Sequence, residues 1–140
     1  MITNERQYAI TKAQAAKFRA ALEADPPENM HPKALKAMRE GTKSQLDELE
    51  GQLAEYEALQ SGSLAKIELN SLVDIGPALV KVRIARRLTH KALADRMNLA
   101  EQQIQRYEAT GYAGVSIERL QAVVDALKVN VNEVLTLKND

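Results

Sequence analysis

Cysteine is absent from this chain of 140 residues, which excludes disulfide bonds, thiolate metal sites and cysteine nucleophiles. Aromatic residues are scarce, with four tyrosines, one phenylalanine and no tryptophan. The core must therefore consist mainly of aliphatic side chains, a composition that favours packed helices, and we predict an all-α protein. No apolar run approaches the ~20 residues that a membrane span needs, and no signal-peptide core is present at the N-terminus. We expect a cytoplasmic protein without membrane contact.

Net charge is also missing, because 19 basic residues balance 19 acidic ones, but the two signs are unevenly distributed. Between Lys81 and Arg106, seven basic residues stand against two acidic ones. Between Glu40 and Glu57, six acidic residues stand against one basic residue. A local basic surface suits phosphate binding even in a neutral chain. The alternative is an ordinary solvated helix face.

Two helices are predicted in the N-terminal half. The first begins at the capping-box spacing of Thr11 and Gln14 and runs to about Glu23, before two prolines. Residues 1–10 show no clear period and could form an arm, a short strand or a leading helical turn. The second helix begins at Pro32 and runs to about Gln60.

Apolar residues form one stripe on the first helix and fall at heptad spacing along the second, which predicts either an antiparallel hairpin of the two or a seam with another chain. The residues assigned to this partner or dimer interface are Phe18, Leu22, Leu46, Leu49, Leu53 and Tyr56. We predict a hairpin module for oligomerisation or partner binding at residues 1–62, a linker at residues 63–70, and a second domain at residues 71–140.

The second domain shows a succession of short amphipathic helices. The first of them begins at Pro77, and Thr89 is a good N-cap for the next. Asn98 follows that helix where the chain must turn sharply, and asparagine tolerates the left-handed conformation better than most residues. A third helix spans about Glu101 to Thr110 over buried Ile104 and Tyr107, and Gly111 can end it. Two more helices are expected, one capped by Ser116 and a short one that contains Val134, Leu135 and Leu137 after Asn130 or Asn132.

The segment from Leu88 to Glu108 resembles the Xre/Cro (lambda-repressor-like) helix-turn-helix family. This resemblance implies a five-helix DNA-binding domain whose third helix enters the major groove. It implies base reading by Glu101, Gln102, Gln103 and Arg106. It implies phosphate contacts by Arg83, Arg86, Thr89, His90 and Lys91. Glu108 is expected to bond within the fold.

Two positions depart from the family pattern. His90 replaces the common glutamine, which could weaken a contact that steadies the recognition helix. Ala100 replaces the usual capping serine or threonine, at a local cost of about 0.5–2 kcal/mol. Neither departure argues against the fold.

The function expected from this resemblance is sequence-specific regulation of transcription. A homodimeric repressor on a palindromic operator, including the operator of its own promoter, is the leading hypothesis. The first alternative is an antitoxin whose residues 1–60 bind a cognate toxin, with the acidic stretch facing a basic nuclease. The second is a helix-turn-helix adaptor without DNA binding. No catalytic triad, glycine-rich phosphate loop or HExxH spacing occurs, so we expect no enzyme activity, metal or cofactor.

Overall fold

The computed structural model describes residues 1–140 and consists of helices and connecting segments, without a β-strand. This confirms the all-α prediction. Six α-helices follow in the order α1 (Glu5–Glu23), α2 (Pro32–Gln60), α3 (Ile75–Ala85), α4 (His90–Arg96), α5 (Glu101–Ala109) and α6 (Ile117–Leu127), and a 3-10 helix (Leu72–Asp74) precedes α3. None of these helices is both long and apolar enough to cross a membrane. The chain divides into two compact units, Met1–Ala65 and Lys66–Asp140.

The first unit is the predicted helical hairpin, but α1 begins earlier than the prediction. Asn4 is its N-cap, and the Asn4 side chain accepts a 2.7 Å hydrogen bond from the backbone N–H of Gln7. The prediction that the helix starts at Thr11 is therefore wrong. The earlier asparagine satisfies a free amide at the helix end, and the helix simply continues through Thr11. At the other helix, Pro32 occupies the first turn as predicted.

The hairpin buries its own apolar stripe. Leu46, Leu53 and Tyr56 of α2 are 7%, 9% and 4% exposed. As contacts with another chain these three predicted interface residues are wrong, because they are already hidden within the unit. The other three, Phe18, Leu22 and Leu49, are half-buried.

A polar and aromatic cluster joins the start of α1 to the end of α2. The rings of Tyr8 and Tyr56 stack with their centroids 5.1 Å apart. The Tyr56 hydroxyl donates to the Glu5 carboxylate at 3.1 Å, and the Gln60 side-chain amide donates to the same carboxylate at 2.9 Å. These contacts fix the register of the two antiparallel helices.

The second unit has a compact aliphatic core beneath α3, α4, α5 and α6. The side chains of Ile84, Leu93, Ile104, Val123 and Leu127 are at most 2% exposed. The local signals in this part of the sequence are confirmed. The Thr89 hydroxyl accepts from the Ala92 N–H at 3.0 Å, and Asn98 and Gly111 have φ values of 54° and 60°.

The predicted last helix is wrong. Residues 129–140 contain no helix, and Val134, Leu135 and Leu137 are 85%, 96% and 102% exposed. A short helix is unstable unless it packs an apolar face on a neighbour, and these side chains pack on nothing. The second unit still contains five helical segments, because the 3-10 helix before α3 was not predicted.

Candidate nucleic-acid interface

The outward face of α5 carries the residues predicted to read bases. Ile104 is fully buried beneath this helix. At 3.6 residues per turn, the side chains on the opposite face are those of Gln102, Gln105 and Arg106, and all three are exposed. Glu101 is exposed in the first turn, whereas Gln103 lies at the edge of the face and is half-buried. Three of the four predicted residues therefore face outward, and the fourth does so only in part.

Gln105 was missed as a member of this face. It lies three residues after Gln102 and one before Arg106 on the exposed side of α5. The spacing i and i+3 is the usual sign of a shared helix face, so the sequence contained the signal. The outward face of α5, defined as Gln102, Gln105 and Arg106, is thus two amides and one guanidinium.

Arg83 does not belong to the surface. Its side chain is 3% exposed, and its Nε and Nη2 donate to the two carboxylate oxygens of Glu108 at 2.6 and 2.9 Å. Its Nη1 donates to the backbone carbonyl of Leu88 at 2.7 Å. The predicted phosphate contact of Arg83 is therefore wrong. This position of α3 faces α5, and the guanidinium forms a bidentate ion pair inside the domain, so it is not available to a phosphate.

His90 is buried as well, which overturns its predicted phosphate contact. Its side chain is 5% exposed, and its Nε2 lies 2.9 Å from the Glu108 Oε1. The expectation that Glu108 bonds within the fold is confirmed. One carboxylate on α5 thereby joins a guanidinium on α3 to an imidazole on α4. This buried network, defined as Arg83, His90 and Glu108, sets the position of α5 relative to the two preceding helices.

Residues 78–140 match the family model of the Cro/C1-type HTH DNA-binding domain. The second unit is a Cro/C1-type helix-turn-helix domain. Its α4 and α5 correspond to the two helices of the motif, the second of which is called the recognition helix in domains of this kind. No curated protein and no solved structure matches the chain at a significant level.

Electrostatics explains why the helix-turn-helix domain can bury three ionisable groups. Burial alone raises the pKa of the Glu108 carboxyl, but hydrogen bonds from His90 and Arg83 and the positive charge of Arg83 outweigh it, and the net pKa is lowered. Glu108 is therefore a stable anion inside the domain. An anion with three donors around it avoids the cost of an uncompensated buried charge.

The remaining predicted phosphate contacts lie on the surface of the helix-turn-helix domain. Thr89 and Lys91 are exposed at the start of α4. Lys91 forms an i,i+4 pair with Asp95 at 3.2 Å, and both side chains are more than 60% exposed, so solvent screens the pair and it contributes little. Arg86 is exposed, but its guanidinium donates to the carbonyl of Lys128 at 2.9 Å.

Two arginines act as caps for the end of α6. Arg86 reaches the carbonyl of Lys128, and Arg96 reaches the carbonyl of Ala126 at 2.9 Å. Carbonyls in the last turn of a helix have no partner within the helix, and basic side chains are favourable there. The role of Arg86 and Arg96 as ties between α3, α4 and α6 could not be deduced from sequence spacing, because the partners lie 42 and 30 residues away.

The charge of the helix-turn-helix domain favours an anionic ligand. Residues 66–140 contain eleven basic and nine acidic side chains, whereas residues 1–65 contain eight basic and ten acidic ones. No group of three or more histidine, aspartate or glutamate side chains could hold a metal ion.

One buried hydroxyl of the domain has no partner, and this gives a first prediction. The Tyr112 hydroxyl is buried without a hydrogen bond, and burial raises the pKa of this phenol. Replacement of Tyr112 by phenylalanine removes the unsatisfied group and leaves the ring in place. We expect the free energy of unfolding to stay unchanged or to rise by about 1 kcal/mol, measured by urea denaturation. A loss of more than about 1 kcal/mol would show that the hydroxyl has a partner in solution.

Proposed function

We propose that the protein is a sequence-specific transcriptional repressor that binds a palindromic operator as a homodimer. The observation that carries this proposal is the outward face of α5, which presents two amides and a guanidinium to solvent. Glutamine can pair with adenine through two hydrogen bonds, and arginine can pair with guanine in the same manner. Glu101, at the start of α5, can accept a hydrogen bond from cytosine.

The geometry of α5 limits how much DNA one copy can read. Nine residues at 1.5 Å each give a helix of about 13 Å, which spans only a few base pairs. Useful affinity at cellular salt then requires two half-sites about one helical turn apart. A homodimer on a palindrome meets this requirement.

Phosphate contacts in this proposal come from the surface around the start of α4. Thr89 is the N-cap of α4, so its exposed side chain stands beside the free amides of the first turn. Lys91 supplies charge there, and Arg86 supplies it at the end of α3. These contacts hold the domain on the duplex and carry little sequence information.

The test begins with DNA selected from a random pool by the full chain. Arg106→Ala and Gln102→Ala should each weaken binding to the selected sequence by about 5- to 150-fold, because each removes a bidentate base contact worth about 1–3 kcal/mol. Lys91→Ala should weaken binding to all sequences alike. It should also reduce the slope of the logarithm of the binding constant against the logarithm of the salt concentration by about 1. Fluorescence anisotropy titrations at several salt concentrations measure both effects.

Gln121→Ala is the matched control for the base-reading variants. Gln121 is an exposed glutamine on α6 that bonds only to Asp125 in the same helix. Its removal should leave affinity within a factor of about two. Equal and weak binding of the wild-type chain to selected and scrambled DNA would contradict the proposal.

A second candidate function concerns the hairpin. The acidic residues of α2 between Glu40 and Glu57 are all exposed, whereas the apolar stripe is turned inward. This arrangement favours a basic protein partner, as in an antitoxin that holds a basic nuclease. Asp47→Lys together with Glu48→Lys should then abolish co-purification with a small basic protein encoded next to this gene. Unchanged co-purification would exclude contact through this acidic surface.

A further inference from the structure

Basic and acidic side chains are separated along α2. Between residues 33 and 43, four basic residues stand against one acidic residue, whereas residues 44–60 contain five acidic residues and no basic one. This order runs against the helix macrodipole, which favours acids in the first turn and bases in the last. The first turn of α2 contains no acid, and its last turn contains no base. The stability of the helix therefore does not account for the basic residues at its beginning.

The basic end of α2 projects beyond the end of α1. Arg19 of α1 forms an ion pair with Glu50 of α2 at 2.9 Å, and α1 ends four residues after Arg19, at Glu23. Because the two helices are antiparallel, the end of α1 lies beside the part of α2 near Leu46. Leu46 is also the first buried residue of α2. Residues 32–45, which we call the projecting segment, contain no buried residue.

The basic residues of the projecting segment lie on one side of the helix. At about 100° per residue they fall within an arc of about 120°, and all four are exposed. They are Lys33, Lys36, Arg39 and Lys43, and we call them the basic face of α2. Lys36 alone has an acidic partner, Glu40, at 3.9 Å, and both side chains are more than 60% exposed, so solvent screens the pair. Three of the four bases are left without an ion pair.

We propose that the basic face of α2 binds the phosphate backbone of DNA beside the operator, without sequence preference. This inference rests on the proposed function, which brings the chain to DNA. A stripe of basic side chains along one helix face is the electrostatic footprint of a surface that binds nucleic acid. From Lys33 to Lys43 the basic face extends over about 15 Å, and duplex DNA carries one negative charge in every ~1.7 Å of its axis.

The composition of the projecting segment favours DNA over a protein partner. Protein interfaces depend on a few aromatic or apolar anchors that fill pockets, and the projecting segment has no aromatic residue. Its two large apolar side chains are Leu35, which is half-buried, and Met38, which is 46% exposed. A Cβ added at Gly41 would meet nothing within 4 Å, so the helix is open to a ligand there. Long, unpaired basic side chains suit a ligand of uniform charge.

The length of the chain sets how far from the operator this contact can lie. From Met38 to the end of α2 at Gln60 the helix measures about 33 Å. Residues 61–71 connect α2 to the 3-10 helix before α3, and eleven extended residues span at most about 40 Å. The upper limit is thus about 70 Å, or roughly 20 base pairs at ~3.4 Å each. Because the two units are tethered, even a weak second contact adds to the affinity.

The test compares two duplexes in fluorescence anisotropy titrations with the full chain at about 50–200 mM salt. One duplex is the selected operator alone, and the other adds about 20 base pairs on each side. The salt slope is the slope of the logarithm of the binding constant against the logarithm of the salt concentration. For the wild-type chain it should be steeper on the long duplex, by about 0.9 for each base that contacts a phosphate.

Replacement of all four residues of the basic face by glutamine should remove this difference between the duplexes. We expect at least a tenfold loss of affinity for the long duplex at low salt and a change within a factor of about two on the operator alone. Glutamine has nearly the helix propensity of lysine and arginine, so far-UV circular dichroism should be unchanged. An unchanged salt slope on the long duplex would overturn the inference.

A matched pair of double variants separates the basic face from net charge. Arg39→Gln combined with Lys43→Gln should lower the salt slope on the long duplex by about 2. Arg6→Gln combined with Lys17→Gln removes one arginine and one lysine from exposed positions of α1 and should leave the slope unchanged. Equal effects of the two variants would show that overall charge, and not the basic face, governs binding.

Sedimentation equilibrium tests the other possible occupant, the acidic end of α2 in a second copy. The fourfold variant should have the same mass as the wild-type chain at every concentration. A lower mass would show that the basic face pairs two copies and would overturn the inference. Scrambled DNA separates the inference from the proposed function. If the wild-type chain does not distinguish selected from scrambled DNA but the fourfold variant still lowers the salt slope on both, the proposed function alone fails.

Discussion

Replacement of Glu108 by alanine is expected to lower the free energy of unfolding of the helix-turn-helix domain by about 3–5 kcal/mol. The substitution leaves Arg83 and His90 at 3% and 5% exposure with no anionic partner. A domain of this size has a total stability of about 4–11 kcal/mol. The variant should therefore lose a large part of the stability of the domain, and its α5 should be held less firmly in position for DNA.

Urea denaturation followed by far-UV circular dichroism measures this loss. Asp95→Ala is the matched control, because it removes an acid from the neighbouring helix whose ion pair with Lys91 is exposed. That control should change the stability by at most about 1 kcal/mol. Arg83→Met combined with Glu108→Leu should be less destabilising than either single change, since the buried guanidinium is removed together with its carboxylate partner and only His90 loses a contact. A loss below 1 kcal/mol in Glu108→Ala would contradict a buried ionised network.

The buried network also predicts how stability depends on pH. The pKa of Glu108 in the folded domain is lowered from its ordinary value of 4.5. A group with a lowered folded pKa contributes stability in full above its unfolded pKa, and the contribution is lost as pH falls through the folded pKa. Stability from this group should thus be intact above about pH 4.5 and decline below it. In Glu108→Gln, the free energy of unfolding should decline less at acidic pH, because protonation of Glu108 no longer contributes to the decline.

The features that the sequence predicted correctly depend on neighbours within a few residues. Thr89 caps α4 through the amide three residues away, and Asn98 turns the chain by its own backbone conformation. Ile104 is fixed beneath α5 by helical spacing. Local hydrogen bonds and periodicity are visible in a sequence, and they were sufficient to find the helices of the helix-turn-helix and two of the three residues on the outward face of α5, Gln102 and Arg106.

The features that were missed depend on contacts between distant residues. Arg83 and His90 lie in a basic stretch of the sequence, which suggested that both are on the surface. Both are instead buried and hydrogen-bonded to Glu108, which lies 25 and 18 residues further along the chain. The helix predicted after α6 is wrong for the opposite reason. Its apolar spacing is compatible with a helix, and no neighbouring surface is present to stabilise one. The sequence pattern indicates which secondary structure a segment prefers, whereas packing against neighbouring residues decides whether the segment adopts it.

Replacement of Gly76 by alanine is expected to destabilise the helix-turn-helix domain by about 3 kcal/mol or more. A Cβ at this position would lie 1.8 Å from the carbonyl oxygen of Gly111 and 2.7 Å from its carbonyl carbon. Both are backbone atoms, so no side chain can rotate away to make room. The segment that contains Gly111 has little freedom to move, because Gly111 and Tyr112 both have φ values of 60° and Tyr112 is 4% exposed.

Gly51→Ala is the matched control for this prediction, because the same added methyl group meets nothing within 4 Å on α2. It should stabilise the hairpin by about 0.5–1 kcal/mol, since alanine is the better helix former. Opposite signs for the two variants in urea denaturation would establish that close backbone contact, and not glycine flexibility, accounts for Gly76. The substitution should also affect the DNA-facing helix, because Gly111 lies in the turn that directly follows α5. Gly76→Ala should therefore lose operator affinity together with stability, and a stable Gly76→Ala domain would show that α3 and this turn are further apart in solution.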